Sequence, residues 1–178
     1  MNILILNGSP RPTGNTIRMA EAFRTGAESA GHHVRLISVC RLDIHDCRAC
    51  EACHASADGR CFQHDGMDVI YSLLGETDML VLASPIYYHG FSGHLKCVID
   101  RFYAALYPKE RKPARLTRAA LLLASGAPDV YDGARFSYEG DFLGYLDLEN
   151  LGVFTCAGDR VSPEQLHELR LFGAALPQ

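Results

Sequence analysis

The sequence predicts one α/β domain: a parallel sheet with helices packed on both faces. Three observations carry that prediction. Short apolar runs alternate with helically spaced segments along all 178 residues, which is how repeated strand–helix units read. Two of the runs, 79–83 and 119–124, are apolar throughout, as expected of strands covered on both faces. Small, turn-forming residues follow the runs, where open parallel sheets bind ligands.

Residues 2–6 form the first strand, closed by Gly8, Ser9 and Pro10. From Asn15, Ile17, Ala20, Phe23, Ala27 and Ala30 recur three or four apart, a helix with Gly31 as its C-terminal stop. Residues 34–39 are a second strand, and a cysteine-rich insert occupies about 44–64. Met67, Ile70, Leu73 and Leu74 mark a second helix. The strand 79–83 is expected to stop at Pro85, because proline cannot donate to a ladder. Leu95, Ile99, Phe102 and Leu106 define a third helix, 119–124 a fourth strand and 151–156 a fifth. Between these two strands, 136–148 is the vaguest element, with Tyr138, Phe142 and Leu146 interrupted by glycines. A last helix opens at Ser162-Pro163-Glu164-Gln165, a capping-box pattern with proline at the first helical position.

Composition narrows the function. The hydrophobic fraction is 48%, the charged fraction 21% and the formal net charge −4. This balance argues against nucleic acid or an anionic membrane as partner. No apolar run approaches the roughly 20 residues of a membrane span, and the start, MNILILNGSP, lacks the basic region of a secretory signal. The expected compartment is the cytoplasm, where the seven cysteines are thiols, metal ligands or redox groups.

The run NGSPRPTGNT, residues 7–16, offers hydroxyls, one guanidinium and backbone N–H groups at a helix N-terminus. That equipment suits a phosphomonoester. It lacks both the Gly-Lys-Ser/Thr ending of nucleoside-triphosphate loops and the G-x-G-x-x-G spacing. The plain alternative is a capped turn with Asn15 as helix cap. After the third strand comes SPIYYHGFSG, residues 84–93, leading into LKCVIDRF, residues 95–102.

Together these segments resemble the NADPH-dependent FMN reductase family over nearly the whole chain. The resemblance implies a flavodoxin-like three-layer sandwich, its five-stranded parallel sheet in the order 2-1-3-4-5. It implies that Ser9, Arg11, Asn15 and Thr16 hold the FMN phosphate. Pro85, Ile86, Tyr87 and Tyr88 would lie along the isoalloxazine, with backbone amides toward its polar edge and a tyrosine near one face. Ser125, Gly126 and Ala127 would close the other side, and Tyr88 and His89 would shape the pocket over the ring. No catalytic side chain is expected, because flavin N5 carries the chemistry. NAD(P)H is the expected transient donor, and a flavin, a quinone or an electron-poor aromatic compound the small acceptor. Arg101, Arg111, Lys112 and Arg115 read as a solvated basic patch or as contacts to a 2′-phosphate. A homodimer or dimer of dimers is implied, with Phe91, Tyr103, Tyr107 and 138–145 as candidate surface.

Cys47-x-x-Cys50-x-x-Cys53, followed by Cys61, resembles the iron–sulfur flavoproteins of the same family, with a [4Fe–4S] cluster passing electrons between ferredoxin-like partners and FMN. Unmetallated thiols, zinc with help from His45, His54 or His64, and a regulatory dithiol remain alternatives. Cys40, Cys97 and Cys156 read as buried small hydrophobes.

Overall fold

The computed structural model describes residues 1–56, 60–106 and 109–177. In chain order the elements are β1 (Asn2–Asn7), α1 (Asn15–Ser29), β2 (His33–Ser38), the single turn α2 (Ala52–Ala55), α3 (Met67–Leu74), β3 (Met79–Pro85), α4 (Gly93–Leu106), β4 (Arg118–Ser125), α5 (Asp132–Arg135), α6 (Leu143–Leu146), β5 (Glu149–Ala157) and α7 (Pro163–Ala174). The five strands are all parallel and pair in the order β2-β1-β3-β4-β5. This is the flavodoxin-like order.

Alternate residues of each central strand enter opposite cores, because successive side chains of a strand point to opposite faces. Leu4, Leu6, Leu80, Leu82, Leu121 and Leu123 meet α3, α4 and the 131–148 segment on one face. Ile3, Ile5, Val81, Ala83, Ala120 and Leu122 meet α1 and α7 on the other. With both faces covered, the middle of each central strand is apolar on both sides and polar residues stand at the strand ends, which is why 79–83 and 119–124 read as unbroken apolar runs.

Local signals place most boundaries. Gly31 takes φ +85° just beyond α1, and the His32 amide returns to Ala27 O (3.1 Å), so the chain turns out of the helix where glycine permits it. Ser162 accepts from the Gln165 amide (3.2 Å) while the Gln165 side chain accepts from the Ser162 amide (3.1 Å), completing the capping box. β3 ends at Pro85 as expected, although the strand runs past residue 83 and Pro85 itself pairs with Ala124 as its last residue.

The vague stretch is also resolved. Phe136–Phe142 winds as a π-helix between α5 and α6. Across α5, this turn and α6 the buried side chains are Ala134, Tyr138, Leu143 and Leu146. The five-residue step from Tyr138 to Leu143 is the widened π turn, which breaks the 3.6-residue period used to recognise helices. Tyr138 is wholly buried, so it cannot belong to the surface expected for a dimer; Tyr145 is exposed. Tyr107, named with them, lies outside the described residues.

Candidate functional site

The chain reverses its direction of winding between β1 and β3, so the loops leaving these strands diverge and open a crevice at their carboxyl ends. A cleft of about 910 Å³ lies there. Loops after β1, β3, β4 and β5 all contribute to its walls. Of the ten residues expected to hold FMN, nine line it: Ser9, Arg11, Asn15, Thr16, Pro85, Ile86, Tyr87, Ser125 and Gly126. Tyr88 does not; its side chain is fully exposed.

The loop after β1 is built by close backbone approach. Gly8 donates to Ala83 O (2.8 Å), and Ser92 Oγ donates to Gly8 O (2.8 Å). A Cβ on Gly8 would stand 2.5 Å from Ser92 Oγ and 2.7 Å from Leu95 Cβ, so only glycine fits. Ser84 Oγ in turn accepts from the Ser92 amide (2.9 Å). Ser92, buried at the start of α4, therefore ties the two sequence motifs into one rigid floor. Ser9 Oγ accepts from the Arg11 amide (3.3 Å), curling the loop toward the N-terminus of α1.

Asn15 has a different task from the one its position suggests. The cap of α1 is Gly14, with no side-chain bond. The Asn15 amide donates to Gly158 O (3.0 Å) and accepts from the Val161 amide (2.9 Å). Its side chain thus holds the loop after β5 against the cleft. Through this clasp Gly158, Asp159 and Arg160 become lining residues that sequence reasoning missed. The signal available was their place after a strand end. Arg11, Arg18 and Arg160 face Glu21 and Asp159 around the cleft. Together with the N-terminus of α1, that leaves an excess of positive charge for an anionic group.

The loop after β3 makes a tight turn. Tyr87 and Gly90 exchange backbone hydrogen bonds (3.1 and 3.0 Å), and Tyr88 and His89 between them both adopt positive φ, 50° and 62°. Two non-glycine residues in the left-handed region are held against an intrinsic cost. A Cβ on Gly133 would meet His89 O at 2.6 Å, so the backbone of α5 packs directly onto this turn. The Ile86 amide already donates to Ala124 O (2.8 Å) and the Tyr87 amide to Gly90 O. Both are engaged within the protein, which corrects the expectation that they face a ligand edge. Ala127 does not line the cleft; its amide donates to Ser125 Oγ (3.2 Å).

The cysteine insert forms a second locus. Cys47, Cys50, Cys53 and Cys61 line one narrow pocket of about 20 Å³ against α4. Burial pushes the Cys53 thiol up, and the neighbouring Cys61, Glu51 and Cys47 act in the same direction. Ala49 and Glu51 take positive φ on either side of Cys50, which bends the C-x-x-C-x-x-C run around that pocket. Among the described residues no three His, Cys, Asp or Glu side chains already stand in metal-ligating geometry. Four thiols lining one pocket are a donor set that suits a soft metal.

The supposed basic patch is corrected. Arg101 is 1% exposed and paired with Asp65 (2.8 Å). Arg111 donates to Cys53 O (2.9 Å), Lys112 to Leu116 O, and Arg115 pairs with Asp78 (2.8 Å). All four cations serve the fold. Cys156 is buried as expected, whereas Cys40 and Cys97 are only half-buried. No described helix is long and apolar enough to cross a membrane.

The sequence model of the NADPH-dependent FMN reductase family matches residues 1–139. The chain belongs to that family. Among individual relatives, an iron–sulfur flavoprotein of Archaeoglobus fulgidus is 37% identical over 94 residues, covering 53% of this chain and 42% of that protein. A Bacillus subtilis protein named as an NAD(P)H-dependent FMN-containing oxidoreductase is 31% identical over 130 residues, 71% of this chain and 67% of its own. This FMN reductase family member spans about half the length of the curated iron–sulfur flavoproteins it matches. An NAD(P)H:quinone oxidoreductase from Methanothermobacter marburgensis shares the fold with TM-score 0.70 at 20% identity, over 98% of this chain and 92% of that one.

Proposed function

We propose that the chain is an FMN-dependent NAD(P)H oxidoreductase that passes electrons to a small acceptor such as a flavin, a quinone or an electron-poor aromatic compound. The observation that carries this reading is the single cleft uniting the phosphate-suited loop with the loops after β3 and β4. Its volume suits a mononucleotide cofactor, and its positive end and apolar wall suit the two ends of FMN. Ser9, Arg11 and Thr16 would hold the phosphate, with Asn15 keeping the adjoining loop closed. Pro85, Ile86 and Tyr87 would form one side of the ring site, and Ser125 and Gly126 the other. Tyr88 and His89, at the exposed tip of the turn, are assigned to the side where donor and acceptor enter. FMN bound there would accept hydride and return electrons singly or in pairs. The Bacillus subtilis relative's name points the same way.

The test is to add FMN to the purified protein and follow its absorbance. Uptake of about one FMN per chain, bleaching by NAD(P)H and recovery with a quinone support the reading. A protein that takes up no FMN sinks it.

A second reading has its own observation. Four cysteines share one pocket, and several relatives bear the name iron–sulfur flavoprotein. In this reading Cys47, Cys50, Cys53 and Cys61 hold a [4Fe–4S] cluster that relays electrons between FMN and a ferredoxin-like partner. Iron and sulfide assays on anaerobically purified protein decide it: about four irons per chain support the cluster, zinc or bare thiols oppose it. We also assign the chain to the cytoplasm and to a homodimer or dimer of dimers in which exposed Phe136 and Tyr145 help cover the partner's site. Elution as a monomer of about 20 kDa, matching the 19.6 kDa chain, would remove the dimer.

A further inference from the structure

Among the described residues Arg101 is the largest fully buried side chain, and it lies in α4 against the cysteine pocket it helps to line. Its terminal nitrogens reach both ends of the insert. Nη1 donates to His45 O (3.0 Å), two residues before Cys47, and to Asp65 Oδ2 (2.8 Å). Nη2 donates to Gln63 O (3.2 Å), two residues after Cys61, and to Asp65 Oδ1 (3.3 Å). Asp65 completes the closure by accepting from the His45 amide (3.1 Å) and the Met67 amide (2.9 Å). Arg101 Nε, by contrast, is buried and makes no hydrogen bond, although the Tyr71 hydroxyl, which donates to Arg101 O (2.8 Å), stands beside the guanidinium. Leaving such a donor unsatisfied is costly, and buried native donors are rarely left so.

We propose that the Arg101–Asp65 pair is the clasp of the four-cysteine site: it pins both ends of the insert to α4, and Arg101 Nε–H is the donor kept for a sulfur in the pocket. Arg101 is thus a positioning residue. The planar guanidinium suits it, because a fixed fork can serve two carbonyls and a carboxylate at once while a lysine cannot. The same helix starts directly after Ser92, the residue that ties the two flavin-site motifs together. Arg101 lies nine positions beyond Ser92, about 14 Å at the usual helical rise. One rod therefore sets the spacing between the cleft and the cysteines. The clasp itself stands on the geometry above. The sulfur acceptor rests on the cluster reading.

The test compares wild type with Arg101→Met, Arg101→Lys and Asp65→Asn. Amide hydrogen exchange and iron uptake from ferrous iron and sulfide under reducing, anaerobic conditions are read for each. Arg101→Met and Asp65→Asn are expected to speed exchange at least tenfold in 43–56 and 60–66, leaving β1 and α1 unchanged and FMN affinity within twofold. Iron per chain should fall to under a quarter of the wild-type value. Arg101→Lys should recover part of the iron uptake, but with a shifted cluster reduction potential, since hydrogen bonds to sulfur set that potential; a purely structural role would leave it unmoved. Unchanged exchange in both Arg101→Met and Asp65→Asn overturns the clasp. Wild-type potential in Arg101→Lys overturns the sulfur donor. If Arg101→Met does not fold, Asp65→Asn and Arg101→Lys decide. A wild type that takes up no iron defeats the cluster reading and the sulfur donor with it, and exchange alone then judges the clasp.

Discussion

Asn15 shows how one side chain is committed by distant backbone. Its amide group bridges Gly158 O and the Val161 amide, and so sets where Asp159 and Arg160 stand beside the cleft. Asn15→Ala removes two hydrogen bonds and leaves a partly buried amide and carbonyl without partners. The expected cost is about 1–3 kcal/mol of stability, the usual range for such orphaned groups. The loop after β5 loosens with it, so FMN affinity should weaken by roughly tenfold, about 1.4 kcal/mol. Fluorescence titration with FMN and a urea melt measure the two effects. Asn15→Asp retains the acceptor for Val161 but loses the donor to Gly158, and it brings a negative charge beside an anion site. It should therefore bind FMN more weakly than Asn15→Ala despite its closer shape.

At the scale of elements, the Tyr87–Gly90 turn and α7 make contrasting predictions. His89 sits at φ 62°, where a side chain is strained and glycine is not. The contact from Gly133 to His89 O keeps the turn there. His89→Gly should raise the unfolding midpoint, worth up to about 1 kcal/mol once the more flexible unfolded chain is counted. Calorimetry would detect it, and a lower midpoint would mean that the His89 side chain makes a stabilising contact. Ser162→Ala removes the hydroxyl that caps α7 and should cost about 1 kcal/mol. Because α7 packs on α1 below the cleft, this loss should appear in stability alone, with FMN affinity unchanged.

The whole molecule's response to acid follows from two ion pairs that join distant segments. Burial works against the Asp65 carboxylate, but hydrogen bonds from Arg101 and from the Met67 and His45 amides outweigh it, holding its pKa below the usual range. Arg115 first, and then the Asn2 amide, do the same for Asp78 despite partial burial. A depressed folded pKa contributes stability that is complete above the unfolded value near 4 and is lost as pH falls through the folded value. The protein should therefore lose stability as pH falls below about 4. Asp65→Asn should be destabilised by roughly 3 kcal/mol or more at neutral pH, since Arg101 is left buried without its counter-charge. It should also show a flatter fall on acidification, because one of the two linked carboxylates is gone. Urea midpoints from pH 7 to pH 2 test both statements. Equal slopes in mutant and wild type would show that Asp65 does not drive the acid response.

What the sequence by itself determined is what short-range physics writes locally. Unbroken apolar runs marked strands buried on both faces, helical spacing marked α1, α3 and α4, and Ser162-Pro163-Glu164-Gln165 marked the start of α7. The two loops now lining one cleft were legible because small residues after a strand end have little other purpose. The tertiary structure alone decided what depends on distant partners. Asn15 meets Gly158 across 143 positions, and Arg101 meets Asp65 across 36, so neither the clasp over the cleft nor the burial of that arginine leaves a local trace. Tyr88 points to solvent because the turn takes a left-handed backbone that α5 supports from elsewhere in the chain. The π turn at Phe136–Phe142 breaks the period by which helices are recognised. Periodicity and caps act over a few residues, whereas hydrogen-bond partners and burial are set when the sheet brings remote loops to one end.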